Sequence, residues 1–162
     1  MKFYHWCPIP LEVGSIILPG NFGRIIRTQV GGGNILLLRE YIYEEVRKRD
    51  YPDKPSRMES CFLCQDLNSA LLFAQPNRFD FNPTQLLYEV EILNPDAPIH
   101  IAPIEFVGVN PNVNAWNAWT SAAKNYWEWN PSYTLAPMEM VVKSPIKIIA
   151  AGISHGQAIQ LT

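Results

Sequence analysis

The sequence predicts one domain that mixes helices and strands. Two segments have strand character, the aromatic Lys2–Cys7 and the alternating Leu86–Leu93, whereas residues 35–49 and the residues after Asn114 have apolar side chains at helical spacing. The chain has 162 residues, of which 48% are hydrophobic, and this is enough for a sizeable core. We therefore expect a single domain over residues 1–162.

Composition excludes several classes of protein. The net charge of −2 does not indicate a polyanion as the main partner. The N-terminus lacks the apolar run of a signal peptide, and no apolar stretch approaches the ~20 residues of a membrane span. Cys7, Cys61 and Cys64 are odd in number, which argues against a disulfide framework. We expect a cytoplasmic protein that contacts no membrane.

Lys2–Cys7 is predicted to be the first strand, because its aromatic residues favour a pleated surface and the prolines that follow prevent a helix. Side chains alternate along a strand, so His5 and Cys7 share one face, and Tyr4 and Trp6 share the other. His5 has two interpretations. It is either a core histidine bonded to a backbone carbonyl or a ligand-binding residue.

The next segment is predicted to be irregular. A short apolar run, Ser15–Pro19, is followed by a predicted turn and loop in which Gly20 and Gly23 permit a positive φ. Arg24 either faces a phosphate or is solvated. Thr28–Asn34 contains three consecutive glycines without the lysine or the setting of a phosphate-binding loop, so a flexible connection is predicted.

Three helices are predicted from capping residues and apolar spacing. The first, over residues 35–49 and capped by Asn34, is interpreted as an ordinary surface helix. Its buried stripe is expected to contain Leu38, Tyr41, Ile42, Glu45 and Val46. The second follows the cap Asp66, and the third follows the cap Asn114. The third is expected to bury Trp116, Trp119, Ala123 and Tyr126, with Tyr126 and Trp127 at a cleft rim.

Further strands are predicted in the middle and at the end of the chain. Leu86–Leu93 is expected to be half exposed, and Ile99–Val107 is expected to lie at an edge or to carry a bulge, because Pro103 interrupts it. Cys61 to Leu63 fall in a strand-like segment before the second helix. Met138–Val142 and Ile146–Ile153 are predicted to be the last two strands.

Two features could indicate chemistry. Cys61 and Cys64 have the spacing of a metal knuckle or a redox pair, but there is no second knuckle and the pair does not open a helix, so we expect no metal. Glu139 lies inside an apolar strand. Because a buried unpaired carboxylate is costly, Glu139 is either an edge residue that faces water or a site residue.

Three features occur in a suggestive order. They are Tyr4-His5 followed by a Pro-Gly turn, Ser-Arg-Met-Glu-Ser-Cys-Phe at 56–62 before a helix, and Tyr126-Trp127 before Met-Glu-Met-Val-Val at 138–142. In this order they resemble the ADP-ribosyltransferase superfamily, most closely its small, largely uncharacterised phage and bacterial members. The resemblance extends from Tyr4 to Ile149. It implies an α+β fold with two small antiparallel sheets splayed around an NAD cleft and flanked by helices.

The resemblance implies an enzyme that uses NAD as a substrate and transfers ADP-ribose to a macromolecular acceptor, protein or nucleic acid, as a toxin or phage effector would. An inhibitory partner protein is compatible with that role. Glu139 would stabilise positive charge on the ribose, His5 would hold a ribose hydroxyl, and Arg57 would pair with the pyrophosphate or position the acceptor. Phe62 or Tyr126 would offer an aromatic face to the cationic nicotinamide. The expected cofactor-binding residues are His5, Trp6, Cys7, Arg24, Arg57, Ser60, Phe62 and Tyr126.

Two positions depart from the family pattern. Trp6 stands where poly(ADP-ribose) polymerase relatives have glycine. Pro137 stands where many arginine-modifying members have a second acidic residue or glutamine, which argues against arginine as the acceptor. A catalytically inactive NAD- or nucleotide-binding domain of the same fold, which Trp6 favours, is one alternative. An NAD-dependent RNA 2′-phosphotransferase is another, but it would require a more basic cleft than 13 Lys and Arg against 15 acidic residues indicate.

Overall fold

The computed structural model describes residues 1–28, 35–74, 82–109, 114–130 and 137–161. Over these residues the chain forms eight β-strands and six α-helices, and every pair of strands is antiparallel. The expected α+β class with two small antiparallel sheets is thus confirmed. The predicted connection over 29–34 and its capping residue Asn34 lie outside the described residues.

The strands are β1 (Phe3–Cys7), β2 (Ile16–Ile17), β3 (Cys61–Leu63), β4 (Leu86–Ile92), β5 (Ile99–Pro103), β6 (Met138–Val142), β7 (Ile146–Ile148) and β8 (Ile153–Ser154). The helices are α1 (Asn21–Thr28), α2 (Ile35–Asp50), α3 (Leu67–Phe73), α4 (Ile104–Val107), α5 (Ala115–Glu128) and α6 (His155–Ile159). A single 3₁₀ turn, Arg57–Glu59, precedes β3.

The two sheets meet along β1 and the end of β3. The first sheet has the order β1-β4-β7-β2, with β8 also paired to β4, and the second has the order β3-β6-β5. Tyr4 and Cys64 form a bridge between the sheets, in which each backbone N–H donates to the other residue's carbonyl at 2.9 and 2.8 Å.

Apolar side chains hold the sheets and helices together in three clusters. One lies between the sheets and contains Phe3, Tyr88, Val90, Met140 and Ile148 among others. A second packs α2 against α5 around Trp119 and Trp127. A third packs β1 and β4 against α3 and α6 around Trp6 and Leu87. The two sheets and the helices therefore share a well-packed interior.

Local signals predicted several boundaries correctly. Asp66 caps α3 by accepting from Ser69 N at 2.7 Å, and Asn114 caps α5 by accepting from Asn117 N at 3.1 Å. β1 lies within the predicted Lys2–Cys7 segment, and its alternation places Trp6 in a cluster different from that of Phe3.

The buried stripes of two helices were predicted wrongly. On α2, Leu38 is 45% exposed, whereas the buried residues are Arg39, Glu40, Ile42, Tyr43 and Val46. α2 is therefore not an ordinary surface helix. On α5, Trp116 is 60% exposed, and Tyr126 and Trp127 are fully buried rather than at a rim.

Three further expectations are corrected. The loop predicted around Gly23 is helix α1, whose backbone approaches the 3₁₀ turn so closely that a Cβ at Gly23 would lie 2.1 Å from the Met58 carbonyl oxygen. The predicted strand Ile146–Ile153 is instead the short strand β7, a bend and the first residue of β8. The segment Ile99–Val107 ends its strand at Pro103 and continues as α4, although β5 does lie at a sheet edge as expected.

β4 is the central strand of the first sheet, and it is half exposed as expected, because the side chains of Glu89 and Glu91 are 35% and 43% exposed. It pairs with β1 on one side and with β7 and β8 on the other, and Leu87, Tyr88 and Val90 are buried. Among the helices of the described ranges, none is both long and apolar enough to cross a membrane.

Candidate functional site

A cavity of about 390 Å³ is lined by residues of both sheets. Its wall combines β1 and the loop after it, helix α1, the 3₁₀ segment, β3 and a single residue of β6, Glu139. This volume is in the range of small-molecule sites, and most of the lining is apolar, as such sites usually are. The predicted site residues in the wall are His5, Trp6, Cys7, Arg57, Ser60, Phe62 and Glu139.

His5 lies on β1 of the first sheet, and its side chain contacts β3 of the second sheet. Its Nδ1 lies 2.7 Å from the Phe62 carbonyl oxygen, so the side chain continues the contact between β1 and β3 after the backbone bridge ends. Because a carbonyl oxygen only accepts, Nδ1 carries the proton, and Nε2 of the neutral ring is an acceptor. Burial lowers the pKa of His5, which favours this neutral form at pH 7. The two interpretations of His5 are thus combined: the ring bonds to a backbone carbonyl, and it also lines the cavity.

Glu139 is 1% exposed and lies on β6, the central strand of the second sheet, opposite Ala102. The interpretation as an edge residue facing water is therefore wrong. Its Oε1 accepts from the Tyr126 hydroxyl at 2.9 Å and from Arg57 Nη1. Its Oε2 is buried and has no hydrogen-bond partner among the described residues. One oxygen of the carboxylate is thus fixed by two donors, while the other is buried and unpaired among the described residues.

Arg57 links Glu139 to a second buried carboxylate. Its Nε and Nη2 donate to the two oxygens of Glu40 at 2.8 and 3.3 Å, and Nη1 also donates to the Tyr126 hydroxyl at 2.8 Å. Burial opposes the charge of Arg57, but Glu139 and Glu40 raise its pKa well above the ordinary value. Arg57 is therefore a permanent cation between two carboxylates.

Glu40 completes this network from helix α2. Its Oε1 also accepts from Nε and Nη2 of Arg39 at 3.1 and 2.9 Å, and Arg39 Nη1 donates to the Val107 carbonyl at 2.8 Å. Burial alone would raise the pKa of Glu40, but the charges of Arg57 and Arg39 outweigh that effect and lower it. Two arginines and two glutamates thus form a buried group whose formal charges cancel.

Aromatic rings surround the guanidinium of Arg57. Its central carbon lies 4.8 Å from the Phe62 ring centroid, 4.9 Å from that of Tyr126 and 5.5 Å from that of Tyr43. Such contacts favour a desolvated cation. Burial, with the charge of Glu139, raises the pKa of Tyr126, so its hydroxyl remains a neutral donor.

The other predicted site residues take different positions. Ser60 lines the cavity while its hydroxyl donates to the Ser56 carbonyl at 2.7 Å. Trp6 contributes to the wall, but its indole N–H donates to the Ala70 carbonyl on α3 at 2.8 Å, so the ring is anchored in the core. Burial raises the pKa of the Cys7 thiol, which disfavours a thiolate there.

Arg24 and Tyr126 do not line the cavity. Arg24 lies on the exposed face of α1 and does not itself line the cavity, but it donates to the side chain of Asn21, which does. Tyr126 is fully buried, and its ring therefore offers no open face to a ligand. Its contribution is the hydroxyl that it directs at Glu139.

Sequence reasoning missed Arg39 and Glu40. A signal was present, because Arg39, Ile42, Tyr43 and Val46 follow the i, i+3, i+4, i+7 spacing of a buried helical face. Because charged residues usually face water, Arg39 and Glu40 were expected to be exposed to solvent.

The cysteines contribute no chemistry that the structure reveals. Cys7, Cys61 and Cys64 are not in disulfides, and burial raises the pKa of Cys61 to about 12. Over the described ranges no three His, Cys, Asp or Glu side chains are grouped in a way that could hold a metal ion.

Comparison with known proteins identifies the family and not an activity. Residues 21–159 match the model of a family described as a protein of unknown function (DUF2441), a region that contains Glu40, Arg57 and Glu139 and begins after His5. A search of curated proteins gave no match. Because the family match covers most of the chain, the chain belongs to the DUF2441 family.

Proposed function

We propose that the chain is an NAD-dependent ADP-ribosyltransferase that acts on a macromolecular acceptor. The proposal rests on the hydrogen bonding of the Glu139 carboxylate. Glu139 lines the cavity, and its carboxylate has Oε1 fixed by two donors and Oε2 buried without a partner among the described residues. An unsatisfied buried carboxylate oxygen is costly unless a ligand satisfies it.

The free oxygen of Glu139 fits a substrate that brings both a hydroxyl group and a developing positive charge. NAD would supply these through its nicotinamide ribose, whose bond to nicotinamide breaks as positive charge grows on the sugar. Glu139 Oε2 would accept a hydrogen bond from a ribose hydroxyl. The negative charge of the carboxylate would then stabilise the transition state, because the surrounding low dielectric strengthens the attraction.

His5 and Phe62 are suited to hold the same substrate. The Nε2 lone pair of neutral His5 can accept from a second ribose hydroxyl, while Nδ1 is held by the Phe62 carbonyl. Phe62 is the aromatic ring that both lines the cavity and lies beside Arg57, so it replaces Tyr126 as the candidate face for nicotinamide.

Arg57 has a different role from the one that the resemblance implied. All three of its nitrogens already donate to Glu40, Glu139 or Tyr126, which leaves little capacity for a pyrophosphate. We therefore assign Arg57 to holding Glu139 in place.

The mouth of the cavity favours a protein acceptor over a nucleic acid. Four of the lining side chains are large, apolar and exposed, namely Ile9, Ile16, Leu18 and Ile25. The only arginines in the described wall, Arg39 and Arg57, are buried and bonded to Glu40. A phosphate backbone binds chiefly through accessible Lys and Arg, so this mouth gives little support to RNA 2′-phosphotransfer.

Trp6, the feature in favour of the inactive-domain alternative, lines the cavity, although its indole is bonded to α3 and packed in the core. An assay of NAD turnover distinguishes the inactive domain from the proposed transferase.

The proposal is tested by incubating the protein with NAD labelled on the adenylate and a whole-cell lysate. We expect label on macromolecules that protease removes and nuclease does not. Label placed on the nicotinamide should not be transferred to macromolecules. Excess unlabelled ADP-ribose is a control for non-enzymatic glycation, and it should not reduce the labelling if the transfer is enzymatic. The absence both of labelled product and of any rise in Tm with millimolar NAD would contradict the proposal.

A further inference from the structure

Arg57 can bind a carboxylate through two neighbouring N–H groups at once, and such a fork occupies both carboxylate oxygens. In this protein the fork formed by Nε and Nη2 faces Glu40, at 2.8 and 3.3 Å. Only Nη1 is left for Glu139, and it contacts Oε1. The way in which Arg57 binds Glu40 thus determines how many oxygens of Glu139 it engages.

We propose that Glu40 is a positioning residue that keeps Arg57 on one oxygen of Glu139 and so leaves Oε2 free for the substrate. Glu40 is 0% exposed and comes from helix α2, whereas Glu139 lies on β6, and the described hydrogen bonds of Glu40 go to Arg39 and Arg57. It acts entirely through Arg57. The inference deepens the proposed function and rests on it for its kinetic consequence.

The charges of the group support this role. Arg57 and Arg39 share Glu40, and the formal charges of Arg39, Glu40, Arg57 and Glu139 sum to zero. Without the negative charge of Glu40, Glu139 is the remaining carboxylate in contact with Arg57. Nη2 would then be released to pair with Oε2, and the guanidinium would close on both oxygens. The oxygen that the chemistry needs would be blocked.

Glu40→Gln tests this with little change of shape. We expect kcat for NAD hydrolysis to fall by about 10–10²-fold, the scale of a misplaced catalytic group, with KM for NAD within about threefold of the wild-type value. Glu44→Gln on the same helix is the matched control. Its carboxylate is 12% exposed and accepts from Arg47 and from the Ser56 hydroxyl, each at 2.8 Å, but neither Glu44 nor Ser56 lines the cavity, so both constants should be unchanged.

A crystal structure of Glu40→Gln gives a readout that does not depend on activity. We expect Arg57 to contact both Glu139 oxygens there. If wild-type protein neither binds nor hydrolyses NAD, the proposed function fails, and this structure still decides the positioning claim. An unchanged single contact in the variant, or an unchanged kcat in an active enzyme, would overturn the inference.

Glu40→Asp covers the case in which the glutamine variant does not fold. Aspartate keeps the charge but is one methylene shorter, so we expect a folded protein with an intermediate kcat and an unchanged KM. If both variants are unfolded, Glu40 is required for the fold alone and the positioning role is refuted.

Discussion

Replacing Glu139 by glutamine should change stability and rate together, with little effect on substrate affinity. The substitution keeps the shape of the side chain and an oxygen for Arg57 and Tyr126, but it removes one of the two negative charges in the buried group. Removing one partner of a buried ion pair costs about 3–5 kcal/mol, because the remaining charge is uncompensated. For a chain of this size each kcal/mol corresponds to ~2–4 °C, so Tm should fall by roughly 6–20 °C.

The same variant should lower kcat for NAD hydrolysis by about 10²–10³-fold, the scale of removing one electrostatic stabiliser. NAD affinity should be nearly unchanged if the carboxylate acts mainly as charge develops. Tm is measured by thermal shift, affinity by calorimetry, and nicotinamide release by chromatography at a temperature well below the variant's Tm. Glu44→Gln again serves as the control and should keep the wild-type rate.

Two results would refute this reasoning about Glu139→Gln. Wild-type nicotinamide release from a folded variant would show that Glu139 is not catalytic. An unchanged Tm would show that its carboxylate does not balance Arg57 in the folded protein.

The remaining predictions concern other parts of the fold. Burial lowers the pKa of His100 to about 4, so between pH 6.5 and 4 the unfolded chain binds a proton that the folded chain does not. The free energy of unfolding should therefore fall by about 3 kcal/mol over that window, and His100→Gln should flatten a plot of Tm against pH; equal slopes in both proteins would contradict this. Gly23→Ala should cost about 1–3 kcal/mol, because its Cβ would meet the 3₁₀ turn, whereas Gly156→Ala, which has open space, should be neutral or stabilising by up to ~1 kcal/mol in urea denaturation. Equal effects of the two glycine substitutions would disprove the close contact. Trp6→Phe should lose about 0.5–1.5 kcal/mol with the hydrogen bond to α3 and keep NAD turnover, and a loss of turnover in the folded variant would instead indicate a direct role in the site.

The parts of the fold that were predicted correctly depend on local chemistry. The caps Asp66 and Asn114 use hydrogen bonds to a backbone N–H three residues away, and the sequence displays both partners. β1 is likewise predicted by its own aromatic residues and the prolines after it. His5 and Glu139 could be singled out because each is unusual for the strand that carries it.

The errors occur where distant partners decide the outcome. The predicted strand Ile146–Ile153 is interrupted near Gly152, where a Cβ would lie 2.6 Å from the Tyr88 ring, and nothing near Gly152 in sequence reveals that contact. On α2 the buried face contains Arg39 and Glu40, and the charge of Glu40 is compensated by Arg57, which is distant in sequence. Hydrophobic periodicity alone assigns such residues to solvent.

The buried charges are themselves an argument about function. Replacing a buried ion pair by apolar residues of similar volume is often neutral or stabilising, so stability alone gives a weak reason to keep four charges in the interior of a small domain. A group serving the fold alone would also be expected to satisfy all of its oxygens. This one leaves a single oxygen, Glu139 Oε2, without a partner among the described residues, and it does so on the residue by which β6 reaches the cavity. The arrangement is the one expected if Arg39, Glu40 and Arg57 hold a carboxylate in place for a ligand that completes its hydrogen bonding.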